Sequence, residues 1–352
     1  MNNIQNLSLT QLGWRPRLQQ QLSFEELELG FVARVINVQR DILTALSEGG
    51  ALQVPIRIFA DHEDPEYRTT VGDWVWIHHE QSEGRTLERL THLKRTAAGS
   101  NPKPQSIAAN IDTIFLVSSC NHDFKASKLE RFLALIMDAH IPAVIVLTKA
   151  DLTDDADRYY DEAKAIHRDV PVIVIDALSD NVVNEFSPWL STGQTIAFIG
   201  ASGVGKSTLT NSILGTDVQH TQGIREDDAK GRHTTTDRSM HLAPTGAWLM
   251  DTPGMRALKL PDITEGISEL FDDIEQLMQR CKFTNCHHEA DAGCAIQSAI
   301  SDGVLPLRRW NNYLKLQREA AFSASNKWQQ REKNKQVGKM IKNHLKSIKN
   351  AK

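Results

Sequence analysis

The chain has 352 residues, of which 40% are hydrophobic and 24% are charged, and its formal net charge is −4. This length leaves room for two or three domains with a sizeable core, and the composition is that of an ordinary globular protein. No apolar run is long enough to span a bilayer, and the first residues lack the basic start and apolar stretch of a signal peptide. We therefore expect a cytoplasmic protein without a membrane partner.

Charge is unevenly distributed along the chain. Residues 327–352 contain nine Lys or Arg residues and one acid, Glu332, so this segment carries about +8 and the remaining residues carry −4 − 8 = −12. Basic tails of this kind commonly contact nucleic acid, although a solvated helical terminus would have the same composition.

The first hundred residues have the pattern of a small β domain. GFVARVINVQRD, ALQVPIRIF and VGDWVWIHHE alternate apolar and polar residues between turn signals. This pattern favours an OB-fold barrel, with a small sandwich or an SH3-like barrel as alternatives. We predict an OB-fold domain over residues 1–100, including a short amino-terminal extension, followed by a polar link over residues 97–106.

Strands then alternate with helices. TIFLVSS, AVIVLT, VPVIVIDA and TIAFIG read as apolar strands, and KLERFLALIMDAH and ADRYYDEAKAIH read as helices between them. Continuous Val and Ile runs separated by helices predict a parallel sheet covered on both faces. We therefore predict an α/β multidomain protein, with a nucleotide domain over residues 106–262 and a helical domain with the basic tail over residues 263–352.

The stretch GASGVGKST fits the phosphate-loop pattern GxxxxGK[ST], with a strand before it and a helix after it. Its glycines let backbone N–H groups turn towards phosphate oxygens at a helix N-terminus. Lys206 is predicted to reach the β- and γ-phosphates, and Ser207 to ligate Mg²⁺. The residues predicted to bind GTP here are Gly200, Ala201, Ser202, Gly203, Val204, Gly205, Lys206, Ser207 and Thr208.

An apolar strand then ends in the stretch DTPG. Asp251 would place a carboxylate beside the Mg²⁺, and the Gly254 N–H would sense a γ-phosphate. The intervening GIREDDAKGRHTTTDRS is polar and has no apolar period, so we interpret it as a switch segment rather than a plain surface loop. Its threonines could complete the Mg²⁺ shell; Thr235 is our choice, and its neighbours stay open.

Base recognition is predicted at TKAD, which resembles the NKxD element of GTPases, with Thr148 in place of the usual Asn. Asp151 would accept hydrogen bonds from guanine N1–H and N2–H₂, which adenine does not offer, and such losses discriminate by roughly 10⁴-fold. The Lys149 stem would pack along the base, and the backbone at Ala177 would contact guanine O6. Asp176 stands where a Ser is familiar. The alternatives are a capping turn at TKAD and an ATP-dependent enzyme such as a kinase.

The order of these elements is unusual. Base elements precede the phosphate loop, the threonines and DTPG, whereas an ordinary small GTPase begins with the phosphate loop. This order indicates a circular permutation, which close termini in compact domains allow. Whatever follows Gly254 is then connected directly to the second switch.

Four cysteines are too few for a disulfide scaffold, and three of them fall within fourteen residues. A compact Cys₃His set suits one tetrahedral structural Zn²⁺. The predicted ligands are Cys281, Cys286, His288 and Cys294. His287 could replace His288, and Cys120 is predicted to be a small core residue.

Together, TKAD, GASGVGKST, GRHTTT, DTPG and CKFTNCHHEADAGC resemble the small ribosomal subunit-dependent, circularly permuted GTPase family. The resemblance implies hydrolysis of GTP to GDP and phosphate stimulated by the 30S subunit, with binding to 16S rRNA near the decoding region. Met255 stands where an ordinary GTPase has its switch glutamine, and the resemblance implies His233 as the residue that orients water. We expect a monomer. Two alternatives stay open, a GTP-gated RNA-binding scaffold with little hydrolysis and a zinc-organised nucleic-acid module with a vestigial nucleotide site.

Overall fold

The computed structural model describes residues 7–39, 41–59, 65–96, 104–215, 238–251, 263–289 and 291–321. The chain divides into two compact units, Met1–Lys259 and Leu260–Lys352. Four predicted site features lie outside the described residues: His233, Thr235, the Gly254–Met255 pair and the basic tail. No helix of the described part is both long and apolar enough to cross a membrane.

The first unit begins with short helices and an antiparallel sheet. Its elements are α1 (Pro16–Gln19), α2 (Phe24–Leu29), β1 (Gly30–Gln39), β2 (Ile42–Ser47), β3 (Gly50–Pro55), β4 (Trp74–His78) and β5 (Gly84–Thr86). The strands pair antiparallel in the order β3-β2-β1-β4-β5. Alternate residues point into a core that includes Val35, Leu43, Val54, Phe59 and Val75. The predicted alternation is present in the residues that form this core, whereas β4 also buries Trp74 and Trp76 on its other face.

A two-stranded sheet follows, formed by β6 (His92–Thr96) and β7 (Pro104–Ala109). The predicted polar link over residues 97–106 therefore ends early, since Pro104 to Ser106 belong to β7. Their composition is typical of a loop, but pairing with β6 satisfies their backbone hydrogen bonds and overrides local propensity.

The predicted parallel sheet is present. Its strands are β8 (Thr113–Ser119), β9 (Ala143–Thr148), β10 (Val172–Val174), β11 (Thr195–Gly200), β12 (Arg238–Leu242) and β13 (Trp248–Asp251), and its helices are α3 (Ala126–Asp138), α4 (Ala156–Lys164), α5 (Val182–Glu185) and α6 (Lys206–Leu214). The order is β10-β9-β8-β11-β13-β12, and only β12 runs antiparallel to its neighbour. β10 is shorter than its apolar sequence predicts, because it pairs only with β9, through three residues.

The antiparallel sheet of β1 to β5 is joined to the parallel sheet. β1 pairs with β12 at Asn37–Ser239 and Val38–Arg238, which makes one eleven-stranded sheet. The fully buried Arg34 reinforces the junction by donating to the Leu12 carbonyl at 2.5 Å and to Thr195 Oγ1 at 2.6 Å. The start of β11, which leads into the phosphate loop, is thereby fixed to the antiparallel sheet.

The second unit is helical in its described part. It contains α7 (Thr264–Leu270), α8 (Asp272–Gln279), α9 (Ala295–Ser301) and a further helix over residues 307–321. The apolar helical pattern of ISELFDDIEQLMQR runs through α7 and α8, but the helix is interrupted at Phe271, whose ring is fully buried. Arg309 lies over that ring and forms an ion pair with Asp273 at 2.8 Å. Burial of the Phe271 ring against Arg309 therefore stabilises the interruption between α7 and α8, which the apolar pattern of the sequence does not indicate.

Candidate functional site

The sequence-predicted nucleotide residues gather at one edge of the parallel sheet. Because β8, β9, β10, β11 and β13 are parallel, their carboxyl ends lie along the same edge, which is where ligands bind in open α/β sheets. TKAD follows β9, the Ala177 loop follows β10, the phosphate loop follows β11, and Asp251 ends β13. The sheet therefore brings together segments that are up to a hundred residues apart.

The phosphate loop has the backbone shape that its glycines predict. Gly200 approaches β8 so closely that a Cβ would lie 2.2 Å from the Val117 carbonyl oxygen. Gly205, with φ of 92°, precedes the first residue of α6 in a left-handed conformation. Lys206 Nζ donates to the Ala201 carbonyl across the loop. The ammonium group is thus held over the loop, where phosphate oxygens would replace this contact.

Several N–H groups at the phosphate loop have no acceptor among the described residues. Within the described residues, no hydrogen bond is made by the N–H groups of Gly203, Gly205, Ser207 and Thr208. The first N–H groups of a helix have no intrahelical partner, and together with the dipole they form a ready anion site. These N–H groups are the donors that a bound phosphate would require.

Thr148 joins the base element to the phosphate loop. Its Oγ1 lies 2.7 Å from the Val204 carbonyl oxygen and 3.2 Å from the Ser118 carbonyl oxygen, and its side chain is fully buried. A hydroxyl has one proton, so it donates to one carbonyl at a time, and the shorter contact is the one to the phosphate loop. The hydroxyl is thus engaged within the protein and connects the base element to the phosphate loop.

The loop after β10 is held by Asp176. Its Oδ1 accepts from the Leu178 N–H at 2.8 Å, and its carbonyl accepts from the Ser179 N–H at 3.1 Å. The departure from Ser at this position is therefore accommodated as a turn-forming carboxylate. Ala177 is buried, and its N–H makes no hydrogen bond to any described residue. A fixed, unpaired donor is what a base oxygen would require there.

Ser212, which the sequence motifs do not indicate, connects the helix after the phosphate loop to the loop after β10. Its Oγ lies 3.0 Å from the Thr208 carbonyl and 3.4 Å from the Ala177 carbonyl. A polar residue on the inner face of the helix after the phosphate loop is the signal that could have shown it.

Two further carboxylates of the site are Asp151, just beyond β9, and Asp251, at the end of β13. Asp151 is exposed in a short 3-10 turn after Lys149, which has a positive φ of 59°. No described cation forms an ion pair with Asp151, so its carboxylate stays available to donors on a base. Asp251 is the last residue of β13 and lies opposite Ser239 of β12.

The second unit contains a compact cluster of metal-ligand side chains. One ligand atom from each of four residues lies within 4.8 Å of the others, and the four are Cys281, Cys286, His288 and Cys294. His288 Nδ1 is 3.5 Å from Cys281 Sγ and 3.7 Å from Cys294 Sγ. Ligands about 2.3 Å from a tetrahedral zinc ion are roughly 3.8 Å apart, so the donor set and its spacing fit Zn²⁺. His288, not the neighbouring His287, belongs to the cluster.

The thiols of the cluster influence one another. Burial raises the pKa of Cys281, but hydrogen bonds from the Ala295 N–H and from neighbouring thiols outweigh it and leave this pKa below its usual value. Burial and the adjacent Cys294 and Cys281 thiols raise the pKa of Cys286 to about 12. Ligation of a cation would relieve this competition, because the ligands bind as thiolates. Cys120, in contrast, lies buried in the first unit.

The backbone around the cluster is held by local contacts. His288 has a positive φ of 61°, and its carbonyl accepts from Gln297 Nε2 at 2.6 Å. Its ring packs edge-on against Trp310, with centroids 5.8 Å apart. These contacts hold the ring in the orientation in which Nδ1 faces the sulfurs of Cys281 and Cys294.

Comparison with known proteins agrees with this geometry. The sequence profile described as RsgA GTPase matches residues 86–261. The chain is 47% identical over 349 residues to Small ribosomal subunit biogenesis GTPase RsgA 2 of Vibrio vulnificus, covering 99% of this chain and 98% of the relative. It is 42% identical over 316 residues to the RsgA protein of Mesorhizobium japonicum, covering 89% of this chain and 90% of that one.

Solved structures show the fold. The crystal structure of YjeQ from Thermotoga maritima aligns with a TM-score of 0.59 at 24% identity, over 83% of this chain and 99% of that one. YloQ, whose structure is described as a circularly permuted GTPase, aligns with a TM-score of 0.57 at 22% identity, over 83% of this chain and 95% of that one. The order of base and phosphate elements in this chain is therefore that of a permuted GTPase fold, and the chain belongs to the RsgA GTPase family of GTP-hydrolysing enzymes.

Proposed function

We propose that this protein binds GTP at the carboxyl edge of its parallel sheet and hydrolyses it to GDP and phosphate during late maturation of the 30S ribosomal subunit. The observation that carries the proposal is the nearly full-length relationship to proteins named small ribosomal subunit biogenesis GTPases, in a chain whose described base and phosphate elements lie at one edge of the sheet. The base and phosphate elements contact one another through the Thr148–Val204 hydrogen bond.

Nucleotide selection follows from groups that are already positioned. The Asp151 carboxylate would accept from guanine N1–H and N2–H₂, and the Ala177 N–H would donate to guanine O6. Adenine would leave both groups unpaired, and a site built for hydrogen bonds rejects such a ligand by roughly 10⁴-fold. The loop N–H groups and Lys206 would take the phosphates.

Mg²⁺ would be held by Ser207 and, in the triphosphate state, by Thr235 of the switch segment, with Asp251 beside them. Bound there, the ion supplies charge stabilisation at the phosphate oxygens. Thr235 lies outside the described residues, so its assignment rests on the hydroxyls that the switch sequence offers. The family resemblance supports His233 as the group that orients water, since the Met255 side chain cannot do so. Imidazole accepts or donates near neutral pH, as this role requires.

The remaining parts would serve binding to the particle. We infer that the antiparallel strands form an OB-fold, within a first domain over residues 1–100, and that residues 263–352 form a domain organised by one structural Zn²⁺. The +8 tail would contact 16S rRNA phosphates, which makes affinity sensitive to salt. We expect a cytoplasmic monomer.

The test is GTP hydrolysis with and without purified 30S subunits, for the wild type and His233→Ala. Strong stimulation that the substitution abolishes would support both the function and the role of His233. Stimulation that survives would support the function but exclude His233 as the catalytic group. Tight GTP binding without stimulation would favour the scaffold alternative.

A further inference from the structure

A groove in the first unit has no role in the nucleotide site. It measures about 510 Å³ and lies between the amino-terminal segment, α2 and the antiparallel strands. Its apolar lining includes Leu9, Leu22, Leu27, Phe31, Val32 and Trp76. A second pocket of about 330 Å³ adjoins it, because both share Glu26 and Trp76.

Helix α2 extends this apolar surface outwards. Phe24 is 90% exposed, and Leu27, one turn further along the same face, is 49% exposed. Leu29, which lines the second pocket, is 44% exposed. The helix has a Ser23–Glu26 capping box, so its conformation is fixed although it buries none of its residues. An ordered helix with an exposed Phe beside an apolar groove marks an interaction surface.

Carboxylates surround this surface. Glu26 and Glu48 line the groove, and Glu25 and Glu83 line the second pocket. The lining of the two pockets contains one Arg, Arg85, which pairs with Glu26 at 2.8 Å. Among the described residues no cation pairs with the other three carboxylates, nor with the exposed Glu28 of α2. The rim is therefore acidic, with an apolar centre.

The acidic rim discriminates between three possible binding partners of the groove: RNA, a second copy of the chain and a basic protein segment. RNA phosphates would be repelled by unpaired carboxylates, and a second copy of the chain would oppose two acidic rims. A protein segment with Lys or Arg residues flanking apolar side chains would satisfy both the rim and the centre. We propose that this groove binds a basic, amphipathic segment of a small-subunit protein, so that the face contacts protein rather than rRNA. The identity of the particle rests on the proposed function.

Two double substitutions test the surface: one reverses the charge of its rim, and the other removes the apolar side chains of its centre. Glu28→Lys with Glu83→Lys should weaken 30S binding about tenfold in cosedimentation, because two favourable rim charges become repulsive. Phe24→Ser with Leu27→Ser should weaken it by a similar factor, because the apolar centre is lost. Asp157→Lys with Asp161→Lys, on the exposed face of α4, makes the same change in net charge and should leave the affinity unchanged or slightly higher. GTP binding reports folding of every variant.

A benzophenone placed at position 24 of the full chain identifies the occupant on purified 30S subunits. Crosslinks mapped to a basic segment of a small-subunit protein, lost in the Glu28→Lys, Glu83→Lys background, would support the proposal. Crosslinks to rRNA, tighter binding on charge reversal, or crosslinks within this chain to residues 327–352 would overturn it. Unchanged 30S affinity in both groove variants would also overturn it. A wild type that fails to cosediment at all would instead contradict the proposed function, and the proposed partner would fall with it.

Discussion

The nucleotide edge and the cysteine cluster are built in opposite ways. The nucleotide edge combines segments from Thr148 to Asp251, and a parallel sheet positions them through backbone hydrogen bonds. The cluster uses fourteen consecutive residues, and no described helix or strand lies between Cys281 and Cys294. A site built on a sheet keeps its shape before its ligand arrives, whereas a site built on irregular chain depends on its ligand for shape.

Removal of metal should give the largest effect, and it should be confined to the second unit. Cys286→Ala is expected to lose bound zinc and most of the helical circular dichroism of residues 263–321, because structural zinc contributes on the order of 10 kcal/mol to small zinc domains. GTP affinity should stay near the wild-type value. Cys120→Ala, which removes a thiol from the first unit, is the matched control and should retain one zinc by mass spectrometry. If the second unit stayed folded without zinc, the cysteine cluster would not depend on its metal for its shape, and the two sites would not differ in this respect.

Base recognition should give the next largest effect, without any loss of fold. Asp151→Asn is expected to reduce GTP affinity by roughly 10³- to 10⁴-fold, because the amide cannot accept from both guanine donors. Xanthosine triphosphate, which offers an acceptor at position 2 of the base, should bind this variant better than GTP does. Titration with both nucleotides measures the exchange. Equal weakening for both bases would show that Asp151 does not contact the base.

Removal of the Thr148–Val204 hydrogen bond tests whether the nucleotide edge is preformed. Thr148→Val keeps the shape but removes the donor to the Val204 carbonyl, and a lost buried hydrogen bond costs about 1–3 kcal/mol. We expect GTP and GDP affinities to fall together by about tenfold or more, with the preference over ATP unchanged. Thr148→Ser restores the donor and should recover most of the affinity. A change in base preference would mean that the hydroxyl contacts the base directly.

The smallest expected effect is a loss of stability of the first unit at acid pH. Burial, followed by the charges of Arg89 and Lys94, lowers the pKa of His92 to about 2. The ring therefore stays neutral in the folded state but takes a proton in the unfolded state below about pH 6.5. Stability from this group is present above pH 6.5 and is lost as the pH falls from there towards 2, by roughly 1.4 kcal/mol at pH 5.5.

Urea unfolding at pH 7.5 and 5.5 measures this loss, and His92→Gln should reduce it. The matched control is His122→Gln, since the side chain of His122 is 90% exposed. An identical pH response in wild type and His92→Gln would show that the ring is not buried in the folded protein. The packing around His92 would then be less tight than the contacts of its ring with Arg89 and Ser106 indicate.

The sequence by itself determined the strands of the parallel sheet, the phosphate loop, the base element and the four ligands of the cluster as candidates. TIFLVSS and TIAFIG coincide with β8 and β11, because a fully buried strand must be apolar on both faces. The cysteine cluster was readable because its ligands are neighbours in the chain. Such local patterns are set by periodicity and spacing alone.

Tertiary structure decided the rest. The hydrogen bond from Thr148 to Val204 depends on a partner 56 residues away, and Pro104 begins a strand only because it pairs with Thr96 of β6. The break at Phe271 arises from burial against Arg309, which the helical pattern of its own segment cannot show. The acidic groove likewise requires the amino-terminal segment, α2 and three strands, β1, β2 and β4, to meet before its apolar centre and carboxylate rim exist. Contacts between distant segments depend on packing, and packing is decided only when the whole chain has folded.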